Sequence, residues 1–320
     1  MYRHFLVPVG DIDSCIEATG HAIAFAQSMG ARITFLPILY QHAATLPHRV
    51  SPVQGEAGAA QNACDARERA LELLARAEAA ARAQGVPYSS VAASDETSFD
   101  SIVAAAVQFE SDLICIAPGQ WLAEADDVVV ARSDGAGAAN VAVLICAADR
   151  RPATSRAIRV LLDQHRAVAD AIHTLLDSVR AAHAAGRQPE PISMRETVKH
   201  LRDLQLRRRR LKENARFFQR LRECTSVADA ELDELECQHQ RDEQLLDELA
   251  ALVGRDAEPA APIGRLEQAL SVYAQFTWEH LGREEGVVLP AARRYLRNDD
   301  WSDIATAFDA TAADWAAAKK

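Results

Sequence analysis

The stretch WEHLGREEGVVLP, residues 278–290, sets His280 and Glu284 four residues apart, one helical turn, just ahead of an apolar run and a proline. On a solvated face such a pair is ordinary. Here both fall on the apolar line Leu266, Leu270, Tyr273, Phe276/Thr277, His280, Glu284, Val287, Ala291. An unpaired carboxylate on a buried line costs on the order of several kcal/mol, so it calls for a cation or strong partners. The same pattern occurs twice more. Ile158, Leu161/Leu162, His165, Val168/Ala169, Ile172 and Leu175 share one face, and Leu232, Leu235, His239, Leu246 and Leu249 share another, with Glu243 a turn beyond His239. A lone histidine on an apolar face is ordinarily a satisfied core residue. Three of them on three helices, two followed by a carboxylate at the fourth position, are the imidazole and carboxylate donors that a non-haem iron site inside a bundle requires.

Those residues need rods to hold them. Helical patterns run over 154–184, 190–223, 228–253 and 263–297, broken by AAGRQPEP (184–191), the stretch around Thr225–Ser226, and GRDAEPAAPIG (254–264). A further helix starts at Asp299. The pattern predicts an all-α antiparallel four-helix bundle with a short C-terminal helix over 157–320, preceded by a linker at 148–156. The first half has a different period. FLVPV (5–9), RITFLPIL (32–39), VPYSSVAA (86–93), DLICIAP (112–118) and NVAVLICA (140–147) are apolar runs bounded by turns, with helical patterns at 13–29, 62–84 and 98–110. Buried strands separated by crossover helices predict an α/β domain over 1–147, a doubly wound parallel five-stranded sheet.

The chain of 320 residues has room for two such domains, and 49% hydrophobic with 25% charged residues is a globular composition. A formal net charge of -11 argues against a nucleic-acid binder, which needs surplus Lys and Arg for phosphates. The four consecutive arginines 207–210 do not alter this, because steps of about 100° spread them around a helix and turn at least one inward. The 6 cysteines are scattered without a CxxC pair, as expected of reduced thiols in a cytoplasmic protein. No window reaches about 18 uninterrupted apolar residues, so neither a membrane span nor a signal peptide is expected. There is no GxSxG, nucleophile triad or P-loop, so an enzyme assignment is weak, with oxygen chemistry at an iron site left open.

LVPVGD at the first strand, HAIAFAQSMGARITFLPIL, ESDLICIAPG and the final VAVLICA give residues 1 to about 147 a resemblance to the universal stress protein family. The resemblance implies a homodimer, often formed through the last strand, and in some members ATP at the carboxyl edge of the sheet. ATP-binding members carry Asp just after the first strand, Gly-x-x-Gly after the fourth, and then Gly-Ser or Gly-Thr. The nearest positions here are Gly10 and Asp11, then Ala117-Pro118-Gly119-Gln120, with no Gly-Ser or Gly-Thr across 121–139. Proline removes one of the N–H donors that a phosphate needs. The domain is therefore expected to work as a dimer module without ATP.

His280-x-x-x-Glu284-Glu285 followed by Leu289-Pro290-Ala291, the His239 helix, and Asp300-Trp301 with Ala307-Phe308 resemble the hemerythrin-like (HHE) domain over about 154–315. The resemblance implies a four-helix bundle around a non-haem di-iron centre. Members carry oxygen, sense oxygen, redox state or iron, or help repair nitrosylated iron sites. It carries ligand roles to His165, His239, His280 and Glu284, and an additional one to Glu243. On the second helix, bacterial members read HHPKE where this chain reads RRLKE, 209–213, so Glu213 is retained and Arg209 stands where a ligand histidine belongs. Guanidinium has no lone pair for a metal. Arg209 is expected near Glu213, Glu284 and Glu243, replacing part of an iron centre's charge. The inward face there has two readings: Leu204, Leu211 and Phe218, or Leu206, Glu213, Phe217 and Leu221. His173, His183 and His200 lie off the motif and are expected as surface or filler residues. Three functions remain open: a stress protein whose iron site, complete or degenerate, meets a small ligand such as oxygen or nitric oxide; a metal-free interaction protein; or an ATP-binding stress protein.

Overall fold

A computed structural model describes residues 2–10, 13–39, 56–93, 98–118, 141–146, 151–254 and 262–318, apart from the side chains of 56–63, 213, 214 and 312–318. Two compact units emerge, Met1–Ala148 with Gly282–Pro290, and Asp149–Leu281 with Ala291–Lys320. All 6 cysteines are free. Among the described residues no helix is long and apolar enough to cross a membrane.

In the first unit, β1 (His4–Val9), β2 (Arg32–Pro37), β3 (Tyr88–Ser90), β4 (Leu113–Ile116) and β5 (Ala142–Ile145) pair in parallel, in the order β3-β2-β1-β4-β5. The helices are α1 (Asp13–Met29), α2 (Glu56–Ala83) and α3 (Phe99–Gln108). β1 is buried along its whole length, which is why it reads as a continuous apolar run rather than an alternating one. Phe5, Val7 and Val9 join one core with Ala22, Ile23, Leu73 and Ala80, while Leu6 joins a second with Ile102, Ile114 and Ile116. Two cores on opposite faces make the sheet doubly wound. Asp11 and the phosphate-loop positions at 119–139 fall outside the described residues.

His4 sits at the start of β1, where its Nε2 lies 2.8 Å from Thr34 Oγ1 and its Nδ1 lies 3.1 Å from Arg32 Nη2 and 3.2 Å from the Glu110 carbonyl oxygen. Burial and the Arg32 charge hold its imidazole below the ordinary histidine value. The folded chain therefore resists a proton that the unfolded chain accepts. This stability is complete above about pH 6.5, the unfolded value, and is lost as the pH falls from there through the folded value. The denaturation midpoint of the full chain is expected to drop across that window, and less so in His4→Gln; parallel pH profiles for the two proteins would show that His4 has no part in it.

The closing segment of this unit, Gly282–Pro290, contains a π turn at Glu284–Val288, in which the Leu289 N–H donates to the Glu284 carbonyl. Pro290 lacks the N–H that would bond the Gly286 carbonyl four residues back, which favours the local widening. The Gln84 side-chain amide donates to that carbonyl at 2.5 Å. A Cβ at Gly286 would come within 2.2 Å of the Ala80 Cβ, so only glycine permits this approach. Glu285 accepts from Arg76 at 3.0 Å, and Arg76 also pairs with Glu72.

The second unit is helical, with α4 (Pro152–Ala184), α5 (Pro191–Asn214), α6 (Phe217–Cys224), α7 (Asp229–Val253), α8 (Ile263–Arg283), the end of α9 (Leu289–Tyr295) and α10 (Asn298–Ala318). Pro152 opens α4, where its missing N–H costs nothing. Most of the linker expected at 148–156 is thus the first turn of α4, and its residues 148–150 lie outside the described chain. The single pattern over 190–223 is two helices, because Arg216 adopts a left-handed backbone with φ 51. This break reconciles the two inward stripes. Before it, Leu201, Leu204, Leu211 and Ala215 are buried and Leu206 is exposed; after it, Phe217 and Leu221 are buried. α5 packs on α4 and α7, and α10, of 21 residues, packs on α4 and α5. Trp301 is fully enclosed and lies 6.1 Å from the Phe217 ring.

Candidate metal centre

α8 buries one stripe, Leu266, Leu270, Tyr273, Ala274, Thr277 and His280, and Glu284 follows a turn later in the same helical run. The π turn begins at Glu284, so Glu284 and Glu285 leave the α-helical spacing together and both are buried. His280 is 2% and Glu284 4% exposed. On α7, His239 is half-buried and its ring centroid lies 5.2 Å from that of His280. One ligand atom from each of His239, His280 and Glu284 lies within 4.8 Å of the other two. Among the described residues this is the group that could hold a metal ion.

Of the other expected ligands, His165 and Glu243 are described and stand outside this group. His165 is buried on α4 at 1% exposure but is not part of that group. Glu243 points outward, its side chain 61% exposed, and accepts from Arg209 Nη1 at 2.5 Å. The Glu213 side chain lies outside the described residues. Arg209 does meet Glu243, as its charge requires, and its Nη2 also donates to the His239 carbonyl at 3.3 Å.

The inward arginine is its neighbour. Arg208 is 3% exposed, and its Nε and Nη1 have no hydrogen-bond partner. The buried line of α5 includes Leu201, Leu204, Gln205, Arg208, Leu211 and Lys212, and that of α7 is Leu232, Leu235, Gln238, Asp242, Leu245, Leu246, Leu249 and Val253. His239 therefore sits at the edge of its face and Gln238 at the centre. Gln205, Asp242 and Tyr273 form a closed triangle: Gln205 Nε2 donates to Asp242 Oδ1 at 3.1 Å and to the Tyr273 hydroxyl at 2.7 Å, and that hydroxyl donates to Asp242 Oδ1 at 2.9 Å. Burial pushes the Asp242 carboxyl above its ordinary range, and the Arg208 charge opposes the rise. Burial and the Asp242 charge push the Tyr273 hydroxyl well up. Reading histidines and acids for metal ligands passes over this layer, although the 3- and 4-residue spacing of Gln205, Arg208 and Lys212 was a usable signal.

These residues fit a single metal ion. Two imidazoles and a carboxylate are the donors of mononuclear non-haem Fe(II) sites, which keep further positions open. A second ion finds no such set among the described side chains. The buried cations of α5, Arg208 and Lys212, offer positive charge and no lone pair. Lys212 is buried as well, its Nζ 5.5 Å over the Phe218 ring. Of the histidines off the motif, His173 stacks on Trp278 at 5.5 Å, His183 binds Glu267 at 2.6 Å, and His200 is exposed.

No curated protein matches the chain. A model of the universal stress protein family matches residues 1–121, and a model of the hemerythrin HHE cation binding domain matches residues 156–292. With the five-stranded parallel sheet ahead of the helical unit, the chain joins a universal stress protein domain to a hemerythrin HHE domain.

Proposed function

We propose that this is a cytoplasmic stress-response protein whose HHE domain holds a single iron ion on His239, His280 and Glu284, a degenerate form of a di-iron site, and uses it to register a small ligand such as oxygen or nitric oxide. The observation that carries this reading is the approach of the three ligand atoms to within 4.8 Å. When bound, iron would supply open coordination positions and a change of oxidation state. The chain's own side chains do the rest. His280 and Glu284 present buried donors from one helical run, and His239 adds the second imidazole from α7. Arg209 withdraws Glu243 from the site by pairing with it at the surface. The α/β domain fits a dimerising module, as its family implies.

Anaerobic loading of the purified chain with Fe(II), followed by desalting and metal analysis, is expected to leave one iron per chain, without oxo-bridge absorption after oxidation. A second tightly held ion would overturn the single-ion reading. No retained iron would favour the metal-free alternative, in which Arg208, Arg209 and Lys212 already supply the positive charge of the interior.

A further inference from the structure

On the side of His280 away from its metal-binding nitrogen, the tautomer of the ring is dictated by α7. His280 Nδ1 lies 3.0 Å from Gln238 Oε1, and both side chains are buried. An amide can be turned either way, but this one is oriented by a second contact. Gln238 Nε2 donates to Glu234 Oε1 at 2.8 Å, and an ionised carboxylate only accepts. The Gln238 oxygen must then face the imidazole, and an oxygen only accepts. The hydrogen between them therefore belongs to His280 Nδ1, and Nε2 carries the lone pair. Neutral histidine in water favours the opposite tautomer, with hydrogen on Nε2, which cannot bind a metal through that atom.

We infer that Gln238 is a positioning residue for the metal centre: it holds His280 in the Nδ1–H form, aims Nε2 as the ligand, and keeps the affinity moderate because it is a neutral amide. This rests on the single-ion reading above. A carboxylate in the same place would make the imidazole a more basic ligand, as carboxylate–histidine–metal arrangements do. An amide orients the ring without adding that charge. Glu234, exposed on α7, acts one bond further out by fixing the amide. The arrangement suits a centre that exchanges iron rather than one that locks it in.

The test separates this inference from the reading it rests on. In the full-length, metal-free protein labelled with ¹⁵N-histidine, long-range proton–nitrogen spectra near pH 8 are expected to show His280 with hydrogen on Nδ1. Gln238→Leu should shift the ring toward the Nε2–H form, and Gln238→Glu should leave it unchanged. Fe(II) affinity should fall about 10–100-fold in Gln238→Leu, the usual cost of losing an outer partner, and rise above wild type in Gln238→Glu. An Nε2–H ring in the wild type, or a tautomer indifferent to Gln238→Leu, overturns the inference whatever the metal does. Wild-type protein that shows the Nδ1–H ring but binds no iron overturns the single-ion reading and leaves the tautomer assignment standing. Should Gln238→Leu fail to fold, the wild-type spectrum and the affinity of Gln238→Glu decide: an Nε2–H ring, or affinity no tighter than wild type, counts against it.

Discussion

His280→Ala is expected to strip the protein of tightly held iron. The proposed site has few donors to lose: among the described residues it draws on His239, His280 and Glu284 alone. Loss of an outer-shell partner alone typically costs about 10–100-fold in affinity, so loss of a direct ligand should exceed about 100-fold. The fold should survive, because alanine is a good helix former and the stripe around position 280 keeps Tyr273, Ala274 and Leu281. Glu243→Gln is the matched control. Glu243 is exposed and pairs with Arg209, so its neutralisation should leave iron content unchanged. The measurement is metal content after loading, beside far-UV circular dichroism. Full occupancy in His280→Ala with native helicity would remove this site from the account, and loss of iron in Glu243→Gln would return Glu243 to the ligand set.

The second large effect concerns stability. Asp242 accepts from Gln205 and Tyr273, lies 3.8 Å from Arg209 Nη2, and feels the charge of the buried Arg208 as well. Asp242→Ala leaves both guanidinium groups, Arg208 and Arg209, without this carboxylate and removes the acceptor that Gln205 and Tyr273 share. Breaking a buried ionic pair from one side costs about 3–5 kcal/mol. Replacing both sides, Asp242→Leu with Arg208→Met, should recover much of this loss, since well-packed apolar residues of similar volume are often neutral or stabilising there. Urea denaturation of the two variants beside wild type reads the difference. Equal destabilisation of the single and double replacements would mean that packing, and not the stranded charge, sets the cost.

The arginine run illustrates how far a sequence can be read. That one of residues 207–210 had to turn inward follows from helical geometry alone. Which one did not follow, because Leu204 and Leu206 supported faces pointing different ways. The left-handed residue at Arg216 settled it by ending α5, so each stripe holds only on its own side of the break. Arg208 is consequently the enclosed cation, and Arg209 reaches the surface acid Glu243. On α7, Leu235 and Leu246 are compatible with either Gln238 or His239 at the centre of the face, two positions about 100° apart. Packing chose Gln238 and left His239 at the edge, close enough to meet His280.

The sequence by itself determined the two-part architecture. Continuous apolar runs have no stable place except a sheet covered on both faces, and long 3.6-residue stripes have none except against other helices. It also determined that His280 and Glu284 are enclosed, because they stand on an unbroken apolar line. Tertiary structure decided which side chains from different helices meet. A ligand set depends on the rotation of each helix to within a fraction of a turn, and that rotation is set by the partners it packs against. The π turn at Glu284 and the break at Arg216 shift the register locally, and a periodicity counted along one chain segment averages over such shifts.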